Sequence, residues 1–340
     1  MTVAPVQATR AQILAFRRRA GALDERLPAG REGLERAAWV GLQDSMPRAA
    51  LLSIHARVED THSSSWEDPA LVQLWGPRYA AYVVAARDLA LFSLGLFPDD
   101  LKSQRRSQDL AVRLRTLLGD ARMPYGEAGR ALGMHGNRLR YAAATGTVLI
   151  RWDGAHQPTI WTIPPPEADP AEMRLALARR YLQVMGPTSS QSFGRWAGVG
   201  PRVGAAVFDA LGSEFTAVST PIGHAWILTP DEPALRAAAG SAAPARLLPS
   251  GDAYYLLQGA DRELLVPDAE QRAALWTSRV WPGALLVDGE IVGTWRRASE
   301  VVTIQAWRRL GSDEIDAVEA EAAGLPLPDL TRAIVVRWDG

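Results

Sequence analysis

The stretch from Trp39 to Val58 carries the residues that could do chemistry, at a break between two predicted helices. The break places an uncharged amide, Gln43, at a helix end, where it can face a ligand instead of the core. Asp44 and Ser45 follow directly. A second interpretation also fits: Asp44 or Ser45 caps the helix that is predicted to start near Pro47. The two interpretations differ in whether these polar groups face a ligand or free N–H groups of the helix.

Composition indicates an ordinary globular chain of 340 residues, 47% of them apolar, which can bury a sizeable core. No apolar run reaches the roughly 18 residues that span a bilayer, and the polar N-terminus has no signal-peptide core. We therefore expect a cytoplasmic protein without membrane contacts. The absence of cysteine excludes disulfides, thiolate metal sites and cysteine nucleophiles. Lys102 is the only lysine, so Schiff-base chemistry would depend on it alone.

Motifs for metals and cofactors are missing from the sequence. His62 follows His55 by seven residues, the other three histidines are spread far apart, and no HExxH pair occurs, so no metal site is predicted. Gly198, Gly200 and Gly204 lack the spacing and the preceding strand of a dinucleotide-binding loop. The sequence contains neither a Walker loop nor a GxSxG nucleophile elbow. We expect no cofactor.

Charge is unevenly distributed, although the formal net charge is only -1. Residues 101–160 contain ten basic and four acidic side chains, whereas residues 311–340 contain two basic and seven acidic ones. A local basic surface is what binding to a phosphate backbone requires. Arg138 and Arg140 flank Leu139 in a predicted helix of this basic part and are candidates for phosphate contacts. A solvated basic face is the alternative.

A pattern of three helices followed by a strand pair occurs three times along the chain, without close sequence identity between the copies. Three helices with a two-stranded wing describe a winged helix. The pattern predicts an α+β fold of three tandem winged-helix units, followed by a C-terminal antiparallel β-rich element, a small sheet or partial barrel. The predicted domains are residues 1–100, then 101–163, 167–232 and 245–340. The first of them holds the break at residues 43–47, which we call the Gln43 stretch.

Several elements have definite signals at their ends. Thr9 is a candidate N-cap for the first helix, and Asp288-Gly289 is a strong hairpin turn. The pattern also predicts helices at 34–42, 103–118, 137–144, 170–185 and 312–323, and strands at 245–257, 263–266 and 333–338.

Five segments, in the same order along the chain, carry a resemblance to a known family. They are GLQ at 41–43, LVQLWGPR at 71–78, ATGTVLIRWDG at 144–154, LARRYLQVMGPTSSQSFGRWAGV at 177–199 and RLLPSGDAYYLLQGADRELLVP at 246–267. With the later DGEIVGTWRR segment, they resemble the winged-helix DNA-binding proteins that include the AlkZ and YcaQ type DNA glycosylases. The resemblance covers nearly the whole chain, and several motifs in order are more specific than any one.

The resemblance implies three winged-helix units and a β-rich C-terminal element that curve around DNA. It also implies excision of alkylated purines, including bulky N7 adducts and interstrand crosslinks. The catalytic signature of the family is glutamine, an apolar residue, and then glutamine or aspartate. Gln43-Asp44-Ser45 corresponds to this signature. Its first position fits, and its second and third positions depart from the pattern.

The reaction implied by the resemblance assigns roles to these residues. An N7-alkylated purine already carries positive charge and can leave without a general acid, so the barrier lies in stabilising the oxocarbenium-like sugar and aiming a water at it. The Gln43 carbonyl can orient this water through hydrogen bonds without being a strong base. Ser45 is a weaker second acceptor. Asp44 could instead supply charge, although one residue along a helix turns a side chain by about 100°.

Two further residues are candidates for DNA contacts. His55, in the helix after the Gln43 stretch, could contact phosphate or the lesion, and a helix-packed histidine is the alternative. Gln157, at the tip of a hairpin predicted around Asp153-Gly154, could enter a minor groove or wedge a base step. A solvent-exposed tip is the alternative for that residue.

Two classes of function compete. The first is a monofunctional DNA glycosylase, acting as a monomer, that hydrolyses the N-glycosidic bond of N7-adducted purines in alkylated or crosslinked double-stranded DNA. The second is a non-catalytic winged-helix DNA-binding protein, a transcriptional regulator or a lesion binder; a regulator would commonly be dimeric and select one sequence. A scaffold that never touches DNA would leave the basic middle of the chain unexplained. The glycosylase is the favoured hypothesis.

Overall fold

A computed structural model describes residues 4–154, 156–328 and 332–339 of the chain. It has a mixed α and β fold, in which helices and small sheets alternate along the chain. Within the described ranges, no helix is long and apolar enough to cross a membrane. The position of the Gln43 stretch depends on the strand pairing in the first of these sheets and on the contacts of that sheet with the parts of the chain that follow.

Residues 4–100 combine four helices with short strands. The helices are α1 (Arg10–Ala20), α2 (Arg31–Ala37), α3 (Ala49–His55) and α4 (Leu89–Ser93). The strands are β1 (Val6–Gln7), β2 (Leu42–Gln43), β3 (Leu71–Trp75) and β4 (Ala81–Ala85), and the sheet has the order β2-β4-β3. Thr9 caps α1 as predicted, because its hydroxyl accepts from the Gln12 N–H while the Gln12 side chain accepts from the Thr9 N–H.

The helix predicted at 34–42 is wrong in its second half. It ends at Ala37, and the chain reverses at Gly41, where φ is 72°, before it enters β2. A Cβ at Gly41 would lie 2.9 Å from ring carbons of both Tyr82 and Phe92, so only glycine fits this reversal. Tertiary packing therefore converts the end of an apparent helix into a strand that pairs with β4.

Residues 101–163 pack helices on a second small sheet. The helices are α5 (Leu101–Leu118), α6 (Tyr125–Ala131) and a 3₁₀ helix, Gly136–Thr145, in place of the α-helix predicted at 137–144. The strands are β5 (Met123–Pro124), β6 (Val148–Arg151) and β7 (Thr159–Thr162), in the order β5-β7-β6. Trp75 of β3 packs into the core of this part, beside Leu139 and Ile150. The first and second parts therefore share a packed boundary.

Residues 167–236 repeat the arrangement. The helices are α7 (Pro170–Met185), α8 (Ser190–Ala197), α9 (Pro201–Ala210) and α10 (Glu232–Arg236), and the strands are β8 (Phe215–Thr220) and β9 (Gly223–Leu228). The bounds of α7 agree with the prediction, because Asp169 caps the helix and proline occupies its first position. β1 joins this sheet by parallel pairing of Val6 with Val218, which no local signal indicated.

Residues 245–339 form a larger sheet with helices. The helices are α11 (Asp261–Leu265), α12 (Ala269–Leu275) and α13 (Ser312–Ala323). The strands are β10 (Ala245–Leu248), β11 (Gly283–Val287), β12 (Glu290–Ala298), β13 (Val301–Ala306) and β14 (Val335–Asp339), in sequence order across the sheet. The predicted turn at Asp288-Gly289 is confirmed, with φ of 47° and 80° at the two residues, as a type I′ hairpin turn requires.

Three predictions for the C-terminal part are corrected. The strand predicted at 245–257 ends at Leu248, and the one predicted at 263–266 is helix α11. Leu264 and Leu265 are both buried, and the sequence pattern of a short buried apolar run is the same for a strand and for a helix. β14 pairs in parallel with β13 because α13 crosses between them, so only β10 to β13 are antiparallel. Within the described residues the sheet stays open and does not close into a barrel.

Candidate active site

The three residues at the break separate onto two faces of the chain. Gln43 pairs with Tyr82 of β4, and the Asp44 N–H extends this pairing by donating to the Ala81 carbonyl at 2.7 Å. Because side chains alternate along an extended chain, Gln43 and Asp44 lie on opposite faces at the end of β2, and Ser45 follows in a bend. Asp44 is 3% exposed, whereas Gln43 is half-buried and Ser45 is exposed. Two of the three predicted catalytic residues can therefore reach a ligand directly.

The Gln43 amide is held by Arg78. Gln43 Oε1 accepts a hydrogen bond from Arg78 Nη2 at 2.8 Å, and the Tyr82 hydroxyl lies 3.5 Å from the same oxygen. Arg78 Nη1 donates to the carbonyl oxygen of Trp196 in α8 at 2.5 Å. On the other side, a Cβ at Gly251 would lie 3.2 Å from Gln43 Nε2, so the glycine leaves room beside the amide. The amide therefore points its carbonyl toward a fixed cation.

Arg78 stands on a strained backbone. Arg78 and Tyr79 both have φ of 55°, in the left-handed region that costs non-glycine residues on the order of 1–3 kcal/mol. Gly198 packs directly against this turn, since a Cβ there would lie 2.9 Å from the Arg78 nitrogen. Strain of this kind concentrates at functional sites. Sequence reasoning did not select Arg78, and its place at the end of the LVQLWGPR segment was the available signal.

Asp44 is bound by donors from two elements. Its Oδ1 accepts from the N–H of Ala50, the second residue of α3, at 3.0 Å, and its Oδ2 accepts from Gln73 Nε2 at 2.6 Å. Burial raises the pKa of Asp44 to about 6, while these hydrogen bonds and the guanidinium groups of Arg48 and Arg151 oppose the rise. The first contact matches the interpretation in which Asp44 caps the following helix.

Gln73 links this site to the hairpin of the second part. Its Oε1 accepts from the Trp152 N–H at 2.6 Å, and its Nε2 lies 3.3 Å from the Trp152 carbonyl oxygen. The side chain is buried on β3. Gly154 packs against the Gln43 stretch as well, since a Cβ there would lie 2.6 Å from Pro47 Cβ. The connection from β6 to β7 therefore touches the candidate catalytic stretch through two contacts.

A cavity of about 630 Å³ opens beside these contacts, between the first and second parts. Three residues predicted from the sequence line it, namely Ser45, Arg140 and Gln157. Arg78 and four aromatic residues complete much of its wall: Trp75, Tyr79, Tyr125 and Trp152. Among the residues that the structure describes, no Asp or Glu lines it. Aromatic rings and guanidinium groups are suited to contacts with bases and phosphates.

Arg138 and Arg140 lie on different surfaces. Arg140 is half-buried, donates to Asn137 Oδ1 at 3.2 Å, and has a buried Nε without a hydrogen-bond partner in the described part of the chain. Arg138 is exposed and lines a separate cavity of about 790 Å³. This second cavity is rich in cations, with Lys102, Arg105, Arg106 and Arg113 on its wall. The predicted phosphate contacts therefore occupy two basic surfaces.

His55 lines neither cavity and packs against α13. Its Nε2 lies 3.4 Å from Arg26 Nη2 and 4.0 Å from a carboxylate oxygen of Glu321. Because arginine can only donate, Nε2 is the acceptor and the ring is neutral. Burial lowers the pKa of His55 to about 4, helped by the charges of Arg26 and Arg246 and opposed by that of Glu321. These contacts fit the alternative of a helix-packed histidine.

A pH-dependent loss of stability is expected from His55. Its pKa is about 4 in the folded protein and about 6.5 when unfolded, so the unfolded state binds more protons between these values. The contribution is fully present above pH 6.5 and is lost as the pH falls toward 4, on the order of 3 kcal/mol. Urea unfolding at pH 7.5 and pH 4.5 should show a larger loss in wild type than in His55→Gln. Equal losses in both proteins would contradict this placement of the ring.

The loop that carries Gly251 is anchored by a buried ion pair. Asp252 accepts from Arg57 Nη1 at 2.7 Å and Nη2 at 2.8 Å, and from the Ser53 hydroxyl at 2.7 Å. Asp252 is 1% exposed and Arg57 is 3% exposed. Burial opposes ionisation, yet the Arg57 charge and hydrogen bonds lower the pKa of Asp252 below its usual value. The C-terminal part is therefore fixed to α3, directly after the Gln43 stretch.

The two residues of the Gln43-Asp44-Ser45 triplet that are accessible, Gln43 and Ser45, carry no charge. Gln43 and Ser45 are neither strong bases nor activated nucleophiles, and both can orient a water through hydrogen bonds. In the described ranges, no group of three or more histidines and carboxylates could hold a metal ion. This arrangement suits hydrolysis of a bond whose leaving group is already activated.

The fold and this site agree with one class of protein, the DNA glycosylases of the AlkZ type. The family described as DNA glycosylase AlkZ-like matches residues 34–326 of the chain. The chain belongs to this AlkZ-like DNA glycosylase family, and the resemblance recognised in the sequence is confirmed. Its members are hydrolases of N-glycosyl bonds.

A similar sequence and a similar solved structure both come from Streptomyces sahachiroi. An interstrand DNA cross-link repair glycosylase is 30% identical over 162 residues, which cover 46% of this chain and 42% of that protein. The aligned part is thus less than half of either chain. The solved structure of the DNA glycosylase AlkZ matches with a TM-score of 0.80 at 20% identity, over 98% of this chain and 100% of that one. Similarity of fold therefore extends over nearly the whole chain.

Proposed function

We propose that this protein is a monofunctional DNA glycosylase that hydrolyses the N-glycosidic bond of N7-adducted purines in double-stranded DNA. Family membership supports the reaction class. The observation that carries the proposal is the Gln43 amide, whose carbonyl is held by Arg78; Arg78 and Ser45, and not Gln43 itself, line the neighbouring aromatic cavity. Because the name of a relative refers to cross-link repair, interstrand crosslinks are included among the proposed substrates.

The proposed mechanism needs no general acid. The alkylated purine leaves as a neutral base, and positive charge develops on the sugar. Gln43 Oε1 has two lone pairs; Arg78 takes one at 2.8 Å, and the attacking water displaces the distant Tyr82 hydroxyl, at 3.5 Å, as the donor to the other. Ser45, which lines the cavity, supplies a second acceptor, and the proton that the water loses on attack passes to solvent. Holding the water in line contributes most, because a fixed nucleophile avoids the entropic cost of an encounter.

The proposed architecture assigns a winged-helix unit to each of the three parts at 1–100, 101–163 and 167–232, with residues 245–340 as a β-rich domain. Each part has helices and a hairpin, which supports the assignment. The protein would act as a monomer in the cytoplasm, on alkylated or crosslinked DNA. Arg138, Arg140 and Gln157 would contact DNA. His55 remains a proposed contact that its packing against α13 does not favour.

A double alanine variant tests the DNA surface. Arg138→Ala/Arg140→Ala should weaken binding to undamaged duplex DNA about 10-fold or more, and should lower the salt slope by about 2, because two phosphate contacts are lost. The matched control is Arg236→Ala/Arg308→Ala, which removes the same charge from exposed arginines of other parts. Fluorescence anisotropy at several salt concentrations gives both values. Unchanged DNA affinity and unchanged salt slope would show that DNA binds to another surface of the protein.

Base release separates the enzyme from a non-catalytic binder. Purified protein should release N7-methylguanine, or a bulkier N7 adduct, from a defined duplex in single-turnover assays. The product should be an abasic site without strand cleavage, since the chain has no Schiff-base chemistry at this site. If no adduct is released while DNA is still bound, the protein is a lesion binder or a regulator.

A further inference from the structure

One buried side chain at the site, Gln73, is used by neither the proposed reaction nor DNA binding. Its side chain contacts both backbone groups of Trp152. Gln73 Oε1 accepts from the Trp152 N–H at 2.6 Å, and Gln73 Nε2 lies 3.3 Å from the Trp152 carbonyl oxygen. Trp152 lies in the connection between β6 and β7, which belongs to the second part of the chain. Gln73 itself belongs to β3, in the first part.

Asp44 and the backbone of Trp152 together fix the orientation of the Gln73 amide. Asp44 Oδ2 accepts from Gln73 Nε2 at 2.6 Å, the shorter of the two contacts of that nitrogen, and the amide oxygen therefore faces the Trp152 N–H. If the amide were flipped, an oxygen would face the carboxylate and an NH₂ group would face an N–H. Both contacts would be repulsive in a buried place, where unpaired polar groups are costly.

We propose that Asp44 and Gln73 are positioning residues that lock the start of the β6–β7 connection, at Trp152, onto the Gln43 stretch. The inference rests on the proposed glycosylase function for its activity measurement. Trp152, Gly154 and Gln157 of this connection line the aromatic cavity, together with Ser45. The lock therefore sets the distance between the water-positioning face and the wall that would hold the lesion. Asp44 acts through Gln73 and does not touch the substrate.

This assignment explains why an aspartate is useful where the family signature has an apolar residue. Both oxygens of Asp44 face N–H donors, one from Ala50 and one from Gln73. A carboxylate satisfies both donors, whereas an asparagine has one oxygen and must point its NH₂ group at one of them. An isosteric Asp44→Asn change should therefore break one of the two contacts.

The test exchanges the two partners. Asp44→Asn and Gln73→Glu should each slow single-turnover base release about 10-fold or more, because a displaced cavity wall misplaces the reacting atoms. DNA affinity should change less than about 3-fold in both, since neither residue touches DNA. In Asp44→Asn/Gln73→Glu, the asparagine NH₂ group donates to the new carboxylate, which still accepts from the Trp152 N–H but can no longer donate to the Trp152 carbonyl, the longer contact at 3.3 Å. We expect this double variant to recover part of the rate and to be faster than either single variant.

A second measurement is independent of catalysis. Hydrogen exchange at the Trp152 amide should be about 10-fold faster in each single variant and should return toward wild type in the double variant. Asp209→Asn/Gln305→Glu makes the same chemical changes at exposed positions and is the matched control. If wild type releases no base, the proposed function fails and hydrogen exchange alone decides the inference. Unchanged exchange in Asp44→Asn, or a double variant no better than the singles, would overturn it.

Discussion

Gln43→Ala is expected to slow release of an N7-adducted purine about 10²-fold under single-turnover conditions, with little change in DNA affinity. The change removes the proposed water acceptor and leaves Arg78 without its partner at 2.8 Å. Because the adducted base leaves unaided, some activity should remain. Base release is measured on a duplex that carries one N7-methylguanine.

A conservative change at Arg78 shows whether orientation of the amide matters. Arg78 donates from one nitrogen to Gln43 and from another to the Trp196 carbonyl. Lysine has a single ammonium group and cannot reproduce this fork, so Arg78→Lys should lie between wild type and Gln43→Ala in rate. Gln305→Ala, on an exposed part of β13, is the control for glutamine loss. A Gln43→Ala protein as fast as wild type would place the chemistry elsewhere.

Asp252→Ala is expected to lower the free energy of unfolding by about 3–5 kcal/mol, the largest stability effect of a single change that we predict. Removing the carboxylate leaves the Arg57 guanidinium buried and unpaired, and Ser53 loses its acceptor. Urea unfolding at pH 7 measures the loss. Because Asp252 follows Gly251, the same variant should also slow base release through displacement of the loop beside Gln43.

The control for this prediction is an exposed ion pair. Glu232 accepts from Arg236 at 2.8 Å one helical turn away, and the Arg236 side chain is 55% exposed. Glu232→Ala should change the unfolding free energy by less than about 1 kcal/mol, since water replaces the contact. A loss of under 1 kcal/mol in Asp252→Ala would show that the buried pair adds no net stability.

Local sequence signals were sufficient to predict the ends of helices that have their own capping residues. The bounds of α7 and α13 agree with those predicted, and α7 shows why: Asp169 at the N-cap and Pro170 at the first position leave little freedom. The wrong predictions occur where a short apolar run is compatible with both a buried strand and a buried helix. Leu264 and Leu265 are buried in a helix, although the same letters fit a buried strand.

For the candidate site, too, the sequence indicated some features and not others. Sequence indicated the Gln43 stretch, and it also left open that Asp44 caps the next helix, which its contact with Ala50 fits. It did not indicate the partners of these residues. Arg78 and Gln73 reach the stretch only because β2 pairs with β4 and β4 with β3.

The sequence by itself determined the family, the α+β class, most helices and the place of the glutamine. These depend on ordered motifs, caps and periodicity, which a chain carries locally. Only the tertiary structure decided that Gln43 lies on a strand, that Asp44 faces inward, and that Trp152 of the β6–β7 connection is joined to Asp44 through Gln73. The physical reason is that the pairing register and the burial of a polar group depend on contacts between residues far apart in sequence.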